Sequence, residues 1–480
     1  MAIAEKVEAT HRDLSLKAWK FLEYVEENPE TTRFVDLRED PSLPRWMKDP
    51  YPLQTWPVLV GARKLTQIRR AATEVPRLLK SIPERLDCPG EIAKAYGIED
   101  EHLASLYFAP PTGLDSALCR CDFIDDGDNL FCIEMNLSPS LGGWQLCLFQ
   151  QACLDNGPVK SFINEEAIRP RFRDSLKSLF DFIVRDSLSK GVVTGRQMNI
   201  LFCFSSEQLR IVRQSEAFFG DVCRKVLEEN GIEGNVAYCE YPTRTLNVED
   251  GELHYRGKHV HAVVEFCEEA TPREVFMPFK MGTATLYNGP AATAIGSKLS
   301  SCLLSELEDS DLFSAEERAT IRSHIPWSRR IADTTTTFQG DRVLLPGFLL
   351  DQKDQFIIKP MDGTRGENVV VGRLTDEKKW QAWVERACRQ GGWMAQAHVD
   401  SRPYLFQQGE EGYGVFDLVW GTFCFGQEYG GGFLRMAPKG QHSGVINAAL
   451  GATEGILFEL NEEHYDECQR NQGERRGRNE

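Results

Sequence analysis

Two stretches of this chain show the clearest apolar–polar patterning, and each predicts a different kind of sheet. Phe131, Ile133 and Met135 alternate with Cys132, Glu134 and Asn136, the period-two signature of a strand. Just upstream, Arg120 and Asp122 share one face of another strand, and Asp125-Asp126-Gly127-Asp128-Asn129 supplies a strong hairpin turn between the two. Folding at this turn sets Asp122 roughly opposite Glu134. The second stretch begins at Met198–Phe204, a continuous apolar run that reads as a buried strand. An amphipathic helix follows over Ser206–Asn230, closed by Gly231, and further strands are predicted at Val236–Tyr241 and Ala262–Phe266, with a hairpin tip at Asn247–Leu253. Strand–helix–strand order here predicts a small, mostly parallel sheet.

Elsewhere the pattern is helical over 1–30 and again over 60–105, where Pro76, Pro83 and Pro89 punctuate it. Residues 40–57 carry five prolines and three tryptophan or tyrosine residues, and read as ordered but irregular. A helix is expected at 144–155, a long amphipathic segment at 163–190, and a helix over Ala291–Glu306. Gln355–Pro360 reads as a strand entering the loop 361–368, Val369–Val371 as the strand leaving it, and Phe416–Phe425 and Gly430–Arg435 as later strands. The expected class is α/β (α+β). Its expected parts are a mainly helical region over 1–115, the hairpin and following helix over 116–155, a small α/β domain over 156–280, two lobes over 281–460, and a polar, disordered tail over 461–480.

Composition narrows the function classes. A chain of 480 residues, 41% hydrophobic and 26% charged, is long enough for two or three domains with an ample core. It has no apolar run of about 18 residues, so no membrane span is expected. The first residues have no apolar signal core, and the 14 scattered cysteines sit largely in apolar stretches, so a reduced, cytoplasmic setting is expected. A net charge of −17 argues against nucleic acid as the main partner, because phosphate binding needs a basic surface. Cys119, Cys121 and Cys132 do not have zinc-ribbon spacing, and strand alternation puts Cys132 on the opposite face from the other two.

The candidate chemistry lies in two places. Asp122, Glu134 and Asn136 bring two carboxylates and an amide oxygen to one face beside Arg120, an oxygen set suited to Mg²⁺, which keeps few protein ligands. In the loop at 359–371, Lys359 ends a buried strand, and Gly363 and Gly366 let backbone amides approach a phosphate. The exit from this loop is a strand, so it is not a P-loop. Lys298 sits on an otherwise apolar helix, where a lone lysine would ordinarily reach for solvent. His324 with Arg329 and Arg330 could bind an anion or cap a helix end; His259 and His261 read as structural.

Taken in order, these motifs resemble the circularly permuted ATP-grasp ligases typified by glutathionylspermidine synthetase. Arg120-x-Asp122 with Glu134-x-Asn136 resembles that family's magnesium hairpin, and Ser297-Lys298-Leu299 its first ATP lysine. Ile358-Lys359-Pro360 with Gly363-x-x-Gly366 resembles its phosphate-covering loop, and Gln396-Ala397-His398-Val399 its inter-lobe hinge. Tyr429-Gly430-Gly431-Gly432-Phe433-Leu434-Arg435 resembles its late glycine-rich strand and arginine. The resemblance implies a permuted ATP-grasp fold with an inserted pre-ATP-grasp-like domain. It also implies ATP and Mg²⁺ as cofactors, with Asp122, Glu134 and Asn136 on the metal. ATP would be held by Arg120, Asp122, Lys298, Lys359, Gly363, Arg365, Gly366 and Gln396–Val399, with Arg120 and Arg435 catalytic. The loop after Asn136 departs from the family's glutathione-contacting loop, so the chemistry carries over and the substrates do not. The implied reaction joins a small-molecule carboxylate to an amine through an acyl phosphate, giving ADP and phosphate. Loading of an amino acid onto a carrier protein, or nucleotide binding without turnover, are the alternatives.

Overall fold

The computed structural model describes residues 2–44, 46–47, 51–137, 142–267, 270–363, 366–410 and 412–460. The expected tail at 461–480 and Arg365 lie outside them. The architecture is mixed α/β, with three principal sheets.

The largest sheet has seven strands. Its main path runs Val58–Val60, Thr453–Glu459, Glu428–Pro438, Tyr413–Phe425, Leu118–Asp125, Leu130–Asn136, and Tyr404–Gln407 also pairs with Tyr413–Phe425. Only the pair of Val58–Val60 with Thr453–Glu459 is parallel. The strands of this sheet therefore stop at Asn136 and resume at Tyr404, with the parallel and the antiparallel sheets built between. The helix Ala62–Arg85 packs on the sheet through Leu65, Ile68, Ala72, Val75 and Leu79, a buried stripe at helical spacing.

The hairpin forms in the expected register, with Asp122 opposite Glu134 and Arg120 opposite Asn136. One expectation fails beside it. The register slips between Asp122 and Phe123, so that Phe123 pairs with Cys132 and Ile133 has no partner. This bulge turns Cys132 to the same face as Cys121, whose thiol it meets, rather than to the opposite face. Cys121 in turn meets Cys119, and Cys119 meets Cys424, a row of buried thiols through the core.

The second sheet is wholly parallel, in the order Thr285–Tyr287, Ala262–Glu265, Gln197–Phe204, Glu233–Glu240. Its expected single helix over 206–230 is two helices, Ser206–Val212 and Glu216–Glu229, joined by a 3-10 turn. The amphipathic stretch at 163–190 is likewise interrupted, between helices Gly157–Glu165 and Ser175–Ser189. The third sheet is antiparallel, in the order Ser328–Arg330, Trp393–Ala397, Phe356–Pro360, Val370–Val371. Helices Leu345–Asp351 and Glu377–Gln390 cover it with a core that includes Leu349, Trp380 and Val384.

The expected helix over 291–306 breaks into Pro290–Ile295 and Leu299–Glu306. Lys298 is thus not in mid-helix but at the N-cap of the second piece. A buried ionic knot ties the N-terminal helices to the hairpin. Lys64, 3% exposed, lies 2.9 Å from Asp13 Oδ2 and 2.5 Å from Asp125 Oδ2, and Arg402 lies 2.7 Å from Asp13. Burial alone would raise the Asp13 carboxyl, but Lys64, Arg63 and Arg402 outweigh it and hold it below the usual range. No helix among the described residues is long and apolar enough to cross a membrane.

Candidate functional site

A cleft open to solvent, with about 890 Å³ of space between its walls, separates the seven-stranded sheet from the antiparallel sheet. Of the residues singled out from sequence, Asp122, Glu134, Lys298, Lys359, Gly363, Gly366, Gln396, Ala397, His398, Val399 and Arg435 all line it. Segments far apart in the chain thus converge on one space. Arg120 and Asn136 stand one bond behind the lining. Arg120 donates from Nε to Asp122 Oδ1 at 3.0 Å and from Nη2 to Oδ2 at 3.3 Å, and Asn136 Nδ2 donates to the same Oδ2 at 3.3 Å.

Asp122 is the anchor of an arginine pair. Arg435 Nη2 lies 2.7 Å from Asp122 Oδ1. Burial disfavours the charge on Asp122, but the guanidinium groups of Arg120 and Arg435 overcome this and hold its carboxyl below the usual range. Both guanidinium groups also lie over the ring of Phe433, at 5.7 Å and 5.9 Å from its centroid. That ring is seated by Gly143, whose φ of +108° and lack of Cβ let the loop close on it; a Cβ there would stand 2.4 Å from the ring. Among the described residues Nε of Arg435 is buried without a hydrogen-bond partner, while its Nη2 lies 2.7 Å from Asp122 Oδ1. A buried guanidinium with a donor left over has the capacity to take an anion or a water.

The lysines differ from each other. Lys298 Nζ lies 2.9 Å from Glu134 Oε1 and donates to the Gly363 carbonyl at 2.6 Å. Lys359, 7% exposed, donates to the Ile133 carbonyl at 2.8 Å and to Gln396 Oε1 at 2.9 Å, bridging the two sheets. Burial, the leading cause, pushes the Lys359 ammonium down to about 8.

The geometry bears on which oxygens are free for a cation. Both carboxylate oxygens of Asp122 are committed to arginine. Glu134 is shared with Lys298, and Asn136, with its nitrogen engaged, leaves its amide oxygen uncommitted. Glu367, which sequence reasoning passed over, lines the same cleft. Among the described residues no three His, Cys, Asp or Glu side chains form a metal cage. Glu134, Asn136 and Glu367 therefore suit an ion that takes most of its oxygens from phosphate and water, as Mg²⁺ does.

Also missed was the segment Gly444–Asn447, which lines the cleft opposite the 361–371 loop. Gly366 (φ +75°) faces Val445, and Gly444 (φ +85°) faces Val371, so the two segments meet as a cover. Its sequence signal is slight: Gly440, Gly444 and Gly451 punctuate a mixed stretch with no regular period. Gln396 lines the cleft, but its amide is spent on Lys359 and Ser328 and is not free to read a base edge. Of the hinge amides, Ala397 N–H is spent on the Trp327 carbonyl and His398 N–H on the Gln355 carbonyl. His324 Nδ1 pairs with the Leu130 carbonyl at 2.8 Å, and Arg329 with Ser305 Oγ at 2.7 Å; neither lines the cleft.

No family model matches the chain, and no curated protein does. A solved structure does: a glutathione synthetase-like effector (GSS30) from Globodera pallida, in its apo form. The two share 12% sequence identity at a TM-score of 0.53, over 92% of this chain and 96% of that one. The likeness is one of fold. The chain has a glutathione synthetase-like α/β fold, and that fold is shared over nearly the full length of both proteins.

Proposed function

We propose that the protein is an ATP-dependent carboxylate–amine ligase on a permuted ATP-grasp fold, forming an amide through an acyl phosphate. The observation that carries this reading is the meeting of Lys298, Lys359, Glu134 and the Asp122-held arginine pair around one cleft. The likeness to a glutathione synthetase-like fold supports it. Lys298 and Lys359 would neutralise the phosphates of ATP beneath the cover formed by 361–371 and 444–447. Glu134, Asn136 Oδ1 and Glu367 are the residues that would hold a magnesium ion, whose charge would offset that of the phosphates. A carboxylate oxygen of the acid substrate attacks the γ-phosphorus, and ADP leaves. The amine then attacks the acyl carbon, loses a proton, and phosphate departs. Arg435, with Arg120 behind it on Asp122, holds the acid and stabilises the negative charge that grows on its oxygens, help worth a few kcal/mol per group in typical cases.

Lys359→Ala and Lys298→Ala are each expected to weaken ATP binding by roughly 1–3 kcal/mol, the range of a charge-assisted phosphate contact. Calorimetry giving wild-type affinity in both variants would remove the nucleotide assignment. The reaction itself is tested with purified protein, ATP, Mg²⁺ and pools of acids and amines. Oxygen-18 in the carboxylate should appear in the released phosphate. Release of AMP and pyrophosphate would instead mean an adenylating ligase, and ATP binding without acid-dependent ADP release would mean a nucleotide-binding protein without turnover.

A further inference from the structure

Three neighbouring strands bring Ser328, Gln396 and Lys359 into one row. Gln396 stands opposite Ser328 on one side and Ile357 on the other, and Lys359 lies two residues along on the face of Ile357. Gln396 is 1% exposed and Ser328 is fully buried, so neither has water as an alternative partner. The Ser328 hydroxyl spends its single proton on the Pro326 carbonyl at 2.8 Å, and its oxygen accepts from Gln396 Nε2 at 3.2 Å. A hydroxyl whose proton is spent can only accept. The Gln396 amide is therefore fixed with its nitrogen toward Ser328 and its oxygen toward Lys359, where the separation is 2.9 Å. Lys359 has three N–H donors. Two are taken by the Ile133 carbonyl and Gln396 Oε1, which leaves one for the cleft it lines.

We propose that Gln396 is a positioning residue, locked by Ser328, which keeps the buried Lys359 ammonium charged and turned toward the phosphate end of the cleft. The proposal reassigns Gln396 from the base to the phosphates, and its nucleotide half rests on the ATP reading above. The other groups facing Lys359 are Glu134, which favours its charge, Lys298, which opposes it, and the thiols of Cys302 and Cys132. None of these replaces the lost acceptor if Gln396 goes, because none is hydrogen-bonded to Nζ.

The test reads Lys359 directly, in ligand-free and metal-free protein. Its carbon-13 Cε resonance, assigned by its disappearance in Lys359→Arg, is titrated with pH. Wild type is expected to lose the proton near pH 8. Gln396→Leu should move the midpoint down by about one to two units, the equivalent of one hydrogen bond to a charged group. Gln396→Glu, which puts a carboxylate in the acceptor's place, should move it up. Ser328→Ala, which frees the amide to turn, should move it down by less. ATP affinity supplies the second readout. At pH 7.5 it should fall about three- to twenty-fivefold in Gln396→Leu, as the charged fraction of Lys359 falls, and survive in Gln396→Glu, with the alkaline limb of the affinity profile following each midpoint. A residue that only packed the strand would shift neither midpoint in opposite directions. An unchanged midpoint in both Gln396 variants overturns the proposal. Shifted midpoints in a protein that binds no ATP would retire the nucleotide reading and leave the positioning role standing.

Discussion

Glu134→Ala should lose amide-forming turnover by about a thousandfold or more while the protein remains folded. Such a loss corresponds to several kcal/mol of transition-state stabilisation, the scale set by a cation that offsets charge on a transferring phosphoryl group. The fold should tolerate the change because Glu134 is part-exposed on the cleft wall, and its one ionic partner, Lys298, keeps the Gly363 carbonyl as an acceptor. The same variant makes a second, less obvious forecast. Loss of Glu134 releases Lys298 from its ion pair, so metal-free ATP should bind no more weakly than in wild type. Activity and metal dependence of binding would be measured together. Near-normal turnover at ordinary magnesium concentrations would end the assignment of Glu134 to the cation.

The largest effect on stability is expected at Lys64. Lys64→Met keeps most of the apolar stem but strands the carboxylates of Asp13 and Asp125 in a buried position, with only Arg402 and exposed Arg63 left near Asp13. Removing one partner of a buried ion pair costs about 3–5 kcal/mol, more than most single changes, whereas removing both partners is far milder. Urea unfolding of Lys64→Met should show that loss, and Lys64→Met combined with Asp125→Asn should recover part of it. Equal stabilities for the single and double variants would mean that Asp125 does not depend on Lys64. Tyr404, which donates to Asp125 Oδ2 at 3.1 Å, would then be its sufficient partner.

What could be read from the chain alone followed from short-range pattern. The Asp122–Glu134 register was legible because a five-residue acidic turn fixes where two alternating runs fold back. The parallel sheet was legible because apolar runs alternate with a helical segment. The side of Cys132 was not, since one unpaired residue, Ile133, reverses the alternation and leaves no mark in composition. Lys298 looked like mid-helix because Gly296-Ser297 is only a mild interruption; the break comes from the turn that brings Lys298 N–H to the Met361 carbonyl. The cover segment Gly444–Asn447 and Glu367 were passed over for a different reason. Their place at the cleft is made by contacts between segments about eighty residues apart, which periodicity cannot register. Gln396 was singled out in the sequence and lines the cleft, but the direction of its amide depends on Ser328, on another strand, and on where one hydroxyl proton goes.

The departure of the chain from its largest sheet at Asn136 and its return at Tyr404 also sets an order of events during synthesis. On the ribosome, Leu118–Asn136 emerges as a two-stranded ribbon whose inner edge, at Leu118–Phe123, has no neighbour until Trp420–Phe425 is made. An isolated hairpin is marginal in water, so the acidic ribbon must wait, open along one side, while the parallel sheet and the antiparallel lobe are completed. Arg120 and Asp122 are made well before Arg435, so the arginine pair cannot assemble until that later strand has emerged. A nascent chain stopped short of Tyr404 would therefore hold Lys298 and Lys359 on one side of an unfinished cleft, with no completed sheet to close against them.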